Sequence, residues 1–190
     1  MKTRREFLEG ASRYLLGAGA IPTAMAAAPF RQARNTGFVY DVRYLDHVLL
    51  PRGGEPHPER PLRLRRMREV FTARGLDQEL TSIPLLADPM PYIMRHHIRD
   101  HVESVRTIDV TGPVAELAVA GALGAVDAVA RREVANVFCA IRPPGHHANN
   151  TGREEGFCFF SNAAIAARYA QVAHGFERIL IIDWDYHHGN

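Results

Sequence analysis

Apolar positions recur along the chain at spacings that predict a strand, then helices, then further strands. Residues 37–41, GFVYD, are a short apolar run that predicts a strand, and a loop rich in proline and glycine follows. Residues 62–75 then carry apolar side chains at helical spacing up to Gly75, a residue suited to ending a helix. The apolar positions of this helix are Leu64, Met67, Val70 and Phe71.

A second helix is predicted over residues 91–105, PYIMRHHIRDHVESV. In one continuous helix, His97 and His101 would lie four residues apart on the same face, a spacing that can hold a metal ion. The segment lacks the glutamate of an H-E-x-x-H motif, and the sequence indicates no third ligand nearby. Packing or polar contacts at a helix surface are therefore the favoured interpretation of this pair.

The second half of the chain gives the fold class. From Gly112 a long Ala-rich helix leads into a predicted strand at residues 136–142, NVFCAIR. A helix over residues 160–176 and a strand over residues 177–183, ERILIID, follow in the same order. The last strand is apolar on both faces, as buried parallel strands are. This order predicts right-handed parallel crossovers and an α/β sheet.

Composition limits the classes of protein that the chain can belong to and agrees with the predicted α/β fold. The chain has 190 residues, of which 46% are hydrophobic and 23% charged, and this fits about one globular domain. The formal net charge of +2 argues against a broad basic surface for nucleic acid, so a small partner is expected. Cys139 and Cys158 lie in apolar segments and are interpreted as buried small hydrophobes, with a disulfide left open.

Residues 1–28 follow a different pattern. Arg4 and Arg5 precede a short apolar stretch and then small residues, which is the layout of an export signal. The paired arginines resemble a twin-arginine leader, and the apolar stretch is too short to span a membrane. We therefore exclude these residues from the fold and expect the twin-arginine export machinery to deliver the protein to the periplasm or the extracellular space. The alternative is an amphipathic N-terminal helix of the domain.

Two predicted strands end in side chains that bind metals or transfer protons. Asp183, Asp185 and His187 alternate along the chain, and alternation in an extended segment sends alternate side chains to one side. Since the carboxyl ends of parallel strands meet at one edge, His146 and His147 are expected beside them. Asp185 and His187 suit Zn²⁺, Fe²⁺ or Co²⁺, and a further ligand is needed. The alternative is hydrogen bonding at a strand end.

The paired histidines of the GHH sequence are candidates for acid–base work. His146 and His147 follow two prolines that stiffen the loop, and adjacent imidazoles can divide proton transfer if each is oriented by a hydrogen-bond partner. Asp183 and Asn190 are the available partners.

Three motifs together resemble a known family. They are RPPGHHA at residues 142–148, GFCFFSNAAIAARYA at 156–170 and ILIIDWDYHHGN at 179–190. They resemble the metal-dependent histone deacetylase and acetylpolyamine amidohydrolase family, and Asn190 resembles the class II type. The resemblance implies an arginase-deacetylase-like fold, a three-layer α/β sandwich with a mainly parallel sheet and helices on both faces. It also implies that residues 29–190 are the N-terminal portion of a catalytic domain that is incomplete here.

The same resemblance implies roles residue by residue. Asp185 and His187 match two of the three metal ligands of the family, whose third ligand is an aspartate from a later strand. Gly156 and Phe157 match the lining of its acyl-chain tunnel, and Arg60 resembles its arginine near an internal acetate pocket. The residues that match the catalytic tandem histidines and their partners are His146, His147, Asp183 and Asn190.

The expected function is therefore zinc-dependent deacetylation, with Fe²⁺ or Co²⁺ as the other candidate metals. A metal-activated water would hydrolyse the amide of a small acylated amine, of the acetyl-lysine or acetylpolyamine type. The truncated chain alone is expected to be inactive, because two ligands do not close a metal site. The alternative is a non-catalytic periplasmic protein that binds acylated amines and retains the fold. The sequence leaves open whether the protein forms a homo-oligomer.

Overall fold

The structure is a computed structural model that describes residues 35–51 and 53–189. The chain divides into two compact units, Met1–Arg31 and Gln32–Asn190, and the first unit lies outside the described residues. The predicted export signal at residues 1–28 and the predicted catalytic residue Asn190 therefore also lie outside them.

A parallel sheet forms the centre of the second unit. Strand β1, Thr36–Val39, lies between β2, Thr81–Ser82, and β3, Asn136–Cys139, and runs parallel to both. Phe38 of β1 is in register with Phe138 of β3. The parallel α/β sheet expected from the sequence is thus confirmed.

Helices cover both faces of this sheet. Because side chains alternate along a strand, neighbours on β1 face opposite ways. The ring of Phe38 lies 5.4 Å from that of Phe71 in α1, whereas Val39 faces α4, where a Cβ on Gly121 would lie 2.8 Å from its Cγ1. The helices are α1 Leu62–Ala73, α2 Met90–His96, α3 Arg99–Arg106, α4 Thr111–Ala130 and α5 Asn162–His174, with 3-10 turns at Val42–Leu45 and Leu76–Gln78.

Helix α4 is the core helix of the fold. It is rich in alanine and glycine, and such small side chains let neighbouring backbone approach closely. A Cβ added to Gly124 would lie 2.2 Å from the carbonyl oxygen of Pro84. In the described residues, α4 is the one helix long and apolar enough to cross a membrane, but 61% of its most apolar window is buried within the protein. That burial is typical of a core helix.

Glycines end two of the helices as the sequence predicts. Gly75 follows the end of α1 with a φ of 70°, and Gly175 follows α5 with a φ of 71°. Both values lie in the left-handed region, which glycine adopts without steric cost.

The helix predicted over residues 91–105 is divided in two. Backbone at His97 and Ile98 is extended, so α2 ends at His96 and α3 begins at Arg99. The side chain of Asn150 provides the physical reason, because its Oδ1 accepts the N–H of Ile98 at 2.9 Å in place of a helical carbonyl. His97 and His101 consequently lie on different elements.

The strand predicted over residues 177–183 does not form within the described chain. A strand needs a hydrogen-bonded neighbour, and none of the described strands pairs with this segment. Leu180 and Ile182 are 81% and 68% exposed. Ile179, Leu180 and Ile181 line an apolar cavity of about 460 Å³ beside α4 and α5.

Candidate active site

The loop after β3 carries the paired histidines and is fixed by close backbone contacts. A cis peptide bond joins Arg142 to Pro143, and the side chain of Asn162 donates to the Pro143 carbonyl at 3.1 Å. At Gly145, an added Cβ would lie 2.5 Å from the carbonyl oxygen of Phe160, so only glycine fits there. These contacts place His146 near the start of α5.

A buried ion pair anchors the same loop to the segment before α1. The guanidinium of Arg142 donates to both carboxylate oxygens of Glu59, from Nε at 2.5 Å and from Nη2 at 2.6 Å. Its Nη1 also donates to the Tyr44 carbonyl at 2.5 Å. His47 adds a contact of 3.3 Å from its Nε2 to Glu59. This network fixes the backbone from which the paired histidines project.

The charge of Glu59 is kept despite complete burial. Burial by itself raises a carboxyl pKa, but the neighbouring His47 and Arg142 outweigh it and lower the pKa of Glu59 to about 2. Removing either Glu59 or Arg142 alone would leave an uncompensated buried charge, which is strongly destabilising.

Five side chains of the predicted site lie together. His146 Nδ1 is 2.9 Å from Asp183 Oδ2, and His146 Nε2 is 3.6 Å from Asp185 Oδ2. His187 Nδ1 lies 3.0 Å from the same Asp185 oxygen. The His147 ring lies 4.1 Å from the His146 ring, centroid to centroid. Asp183 therefore lies within hydrogen-bonding distance of His146, an arrangement in which a carboxylate can fix the orientation of an imidazole ring.

Backbone amides hold both aspartates in their ionised form. The N–H of Asp185 donates to Asp183 Oδ1 at 3.0 Å and, with the contact from His146, lowers the pKa of Asp183. The N–H of His187 donates to Asp185 Oδ2 at 2.9 Å and, with the His187 ring, lowers the pKa of Asp185. The cluster thus presents two carboxylates beside three imidazoles.

These residues open onto a cavity of about 590 Å³. The ring of Phe157 forms one wall and packs edge-on against buried His57, with centroids 4.5 Å apart. Arg63 also lines the cavity, whereas Arg60 is half-buried and lies outside its lining. The lining residues are Pro58, Glu59, Arg63, Pro144, His146, His147, Gly156, Phe157, Asp185 and His187.

Gly156 is packed directly against His147. It adopts a φ of +50°, and a Cβ at this position would lie 2.2 Å from Cδ2 of the His147 ring. The backbone of Gly156 therefore packs against the His147 ring, and a larger residue at this position would displace that ring.

Asp185 and His187 fit part of a metal site. Their Oδ2 and Nδ1 atoms converge, and carboxylate oxygen with imidazole nitrogen is a donor set suited to Zn²⁺ and related ions. Among the described residues, however, no group of three or more His, Cys, Asp or Glu side chains is placed to hold a metal ion. Two ligands of the type expected are present, and a third is not among the described residues.

Sequence reasoning missed three residues of this site. Arg142 and Glu59 form the buried anchor, and Arg63 supplies a cation to the cavity wall. The HPER and RPPGHH segments hold the relevant signal, since a charged residue adjoins a rigid proline in each. Nothing in local spacing reveals that Glu59 and Arg142 meet across 83 positions.

The two cysteines have the environments expected of small hydrophobes. Both are free, with Cys158 buried and Cys139 half-buried. Burial raises the pKa of each thiol to about 11, so neither is a reactive thiolate near neutral pH.

Comparison with known proteins gives one consistent result. A family model described as the histone deacetylase domain matches residues 57–190. The chain is 33% identical to the histone deacetylase-like amidohydrolase of Pseudomonas aeruginosa over 187 residues, covering 83% of this chain and 48% of that protein. It is 31% identical to the polyamine deacetylase HDAC10 of Danio rerio, covering 83% of this chain and 26% of that protein.

A solved structure agrees with these relatives. The HD domain of HDA15 superposes with a TM-score of 0.77 at 32% identity, covering 83% of this chain and 49% of that chain. The chain spans about half, or less, of the length of the curated relatives compared here. The fold, the matched domain and these identities together place the chain in the histone deacetylase family.

Proposed function

We propose that the protein is a metal-dependent deacetylase that hydrolyses the amide of a small acetylated amine. The observation that carries the proposal is the convergence of His146, Asp183, Asp185 and His187 at the edge of one cavity. Because the chain spans only part of its relatives, the activity is proposed for the complete protein.

Asp185 and His187 would hold the metal ion, together with a ligand from outside the described residues. Zn²⁺ is the proposed metal, with Fe²⁺ and Co²⁺ as the alternatives. When bound in such a site, the ion polarises an amide carbonyl and lowers the pKa of a bound water. Ionised Asp185 suits this task, since metal ligands must be deprotonated.

The two adjacent imidazoles would move protons during the reaction. His146 is oriented by Asp183, and its Nε2 points towards the metal ligands, so it can take a proton from the attacking water. His147 stands beside it and lines the same cavity, where it can protonate the leaving amine. In this proposal Asn190 is the partner of His147, as the resemblance implies.

The cavity supports a narrow, partly apolar substrate arm. Phe157 and Pro144 provide apolar wall, and a cation, Arg63, lies on the same lining to attract the released carboxylate. Two relatives carry the names polyamine deacetylase and histone deacetylase-like amidohydrolase. Acetylpolyamines and acyl-lysine on peptides are therefore the proposed substrate classes.

The proposed cellular location rests on the sequence of residues 1–28. A twin-arginine signal would export the folded protein to the periplasm or beyond. An exported protein would not meet nuclear histones, which favours small acylated amines as the substrates.

Acetate release by the complete protein tests the proposal. The purified protein, loaded separately with Zn²⁺, Fe²⁺ and Co²⁺, should release acetate from an acetylpolyamine or from an acetyl-lysine peptide. His146→Ala is the matched negative variant. Binding of these amines without acetate release under all three metals would overturn the proposal and would favour a non-catalytic binding protein.

A further inference from the structure

Two buried histidines outside the cavity lining contact the loop that leads to the cavity. His97 and His101 are only 3% and 1% exposed, and their rings lie 4.8 Å apart. They face residues 148–161, called here the site loop, which joins the paired histidines to α5. A buried imidazole nitrogen without a hydrogen-bond partner lowers the stability of the fold. The hydrogen-bond partners of each ring nitrogen therefore indicate the structural role of the histidine.

His97 bonds to both limbs of the site loop. The backbone N–H of Ser161, on the outgoing limb, donates to its Nε2 at 3.0 Å. Since an N–H can only donate, Nε2 is the unprotonated nitrogen, and Nδ1 carries the hydrogen. Nδ1 lies 3.1 Å from Asn150 Oδ1 on the incoming limb and donates to it.

His101 does the same with the opposite tautomer. The N–H of Gly152, on the incoming limb, donates to its Nδ1 at 2.9 Å. Its Nε2 therefore carries the hydrogen and donates to the Phe159 carbonyl, on the outgoing limb, at 2.7 Å. Ser104, one turn further along α3, donates to the Gly152 carbonyl at 2.5 Å.

Four hydrogen bonds thus join the two limbs through two neutral rings. Protonation of either ring would place a ring N–H against a backbone N–H, and the hydrogen bond from that backbone N–H would be lost. The titratable groups that act on His97 are His96 and His101. From the site loop, the hydrogen-bond partners of His97 are the backbone N–H of Ser161 and the side-chain amide of Asn150, neither of which titrates. Burial lowers the pKa of His97 to about 4, which keeps this ring neutral near neutral pH.

The tip of the site loop is the part that reaches the active site. Between the clamped limbs, Glu155 and Cys158 pair across a tight turn that carries Gly156 and Phe157. Gly156 packs against the His147 ring, and Phe157 lines the cavity. A shift of the limbs would therefore move both the acid–base pair and the substrate wall.

We infer that His97 and His101 are positioning residues that clamp the site loop and thereby orient His147 and Phe157 for the reaction. The inference rests on the proposed function for its effect on turnover. The clamp itself is independent of that function, because it is made of hydrogen bonds between described residues.

Paired variants of adjacent histidines test the inference in the complete, metal-loaded protein. His97→Leu fills the space but removes both hydrogen bonds, and kcat for an acetylpolyamine should fall about 10²-fold, as for other small displacements of a catalytic group. His97→Gln keeps an acceptor for the Ser161 N–H and should return kcat to within about tenfold of wild type, since it loses one bond rather than two. Exposed His96→Leu is the matched control and should leave kcat unchanged.

Two further readouts separate a clamp from general destabilisation. Amide hydrogen exchange at Ser161 should accelerate in His97→Leu and not in His96→Leu, while exchange in β1 and β3 stays slow. The ring resonances of His147 should shift in His97→Leu alone. Equal kcat values and an unshifted His147 ring in a folded His97→Leu protein would overturn the inference. If the wild type turns over no acylated amine, the proposed function fails, and the exchange and ring readouts still decide the clamp.

Discussion

The buried histidines beside the α2–α3 break, His97 and His101, and the histidines of the candidate site, His146 and His187, use the same side chain in opposite ways. In His97 and His101, each ring nitrogen is matched to a backbone or amide partner, and both rings are neutral. In His146 and His187, the ring nitrogens face carboxylates at the edge of a cavity. The first arrangement holds structure in place, and the second leaves atoms available for a metal ion or a proton.

The difference lies in the partners rather than in the spacing of the histidines. Ring proximity is similar in the two groups, since the rings of His97 and His101 lie 4.8 Å apart and the His146 ring lies 4.1 Å from that of His147. Neutral partners that donate and accept in fixed directions leave an imidazole no free lone pair. Carboxylate partners accept only, so they orient a ring while leaving its other nitrogen open for chemistry.

The largest effect should come from removing an imidazole of the second group. His146→Ala should lower kcat for acetate release by about 10²–10⁴-fold, the usual contribution of a positioned acid or base. Its side chain is mostly buried, with 26% exposed, so a modest fall in the free energy of unfolding should accompany this loss. Steady-state kinetics and denaturant unfolding of the same preparation measure both. Turnover equal to wild type would place the proton transfer on another residue.

The next largest effect concerns buried His97, which should make the free energy of unfolding depend on pH. Burial lowers the pKa of His97 from 6.5 to about 4, so the unfolded chain takes up the proton first. Stability should be complete above about pH 6.5 and should fall as the pH decreases towards about 4, by on the order of 3 kcal/mol. His97→Gln should remove this fall. Urea unfolding across the range measures it.

A second buried group gives an internal control for that experiment. The pKa of Glu59 is lowered from 4.5 to about 2, so its contribution is lost as the pH falls between those values. This lower window should be the same in wild type and in His97→Gln. A variant that retains the wild-type slope between pH 6.5 and 4 would show that His97 is not the group responsible.

A smaller effect is expected at the contact between Gly156 of the site loop and the His147 ring. Gly156→Ala places a methyl against the His147 ring and should lower kcat about 10²-fold, because the ring is displaced. Gly53→Ala is the matched control. Gly53 also has a positive φ, +63°, but a Cβ there meets nothing within 4 Å. If both variants lose the same activity, backbone strain rather than the His147 contact is the cause.

Periodicity predicted the local elements of this fold well. Strand β1, helices α1, α4 and α5, and the glycines after α1 and α5 all follow from spacing and residue type. Strand β2, Thr81–Ser82, was not predicted, and the two predictions that failed depend on distant partners. The break at Ile98 depends on Asn150, which is 52 positions away, and a strand at residues 177–183 requires a paired neighbour that the described residues do not supply.

The candidate site, like the fold, could be predicted where it depends on local sequence and not where it depends on distant contacts. The alternation of Asp183, Asp185 and His187 is local, so their convergence could be expected from the sequence. The position of Arg63 on the cavity wall could not, because it depends on how α1 meets the cavity. With α1 beginning at Leu62, Arg63 lies 3.8 Å from Glu59 and on the cavity wall.

The smallest effect concerns the orientation of His146 rather than its presence. Asp183→Asn keeps an oxygen that can accept from His146 Nδ1, but it removes the negative charge and lets the amide turn its nitrogen towards the ring. We expect kcat to fall about 10–100-fold, the usual cost of losing an orienting partner. Asp109→Asn, an exposed aspartate outside the site, controls for the change in net charge and should keep wild-type kcat. Because orientation rather than folding is altered, urea unfolding of the two variants should agree. An Asp183→Asn protein with undiminished kcat would mean that the 2.9 Å contact does not orient the catalytic ring, and the contrast between the two groups of histidines would then rest on the metal ligands alone.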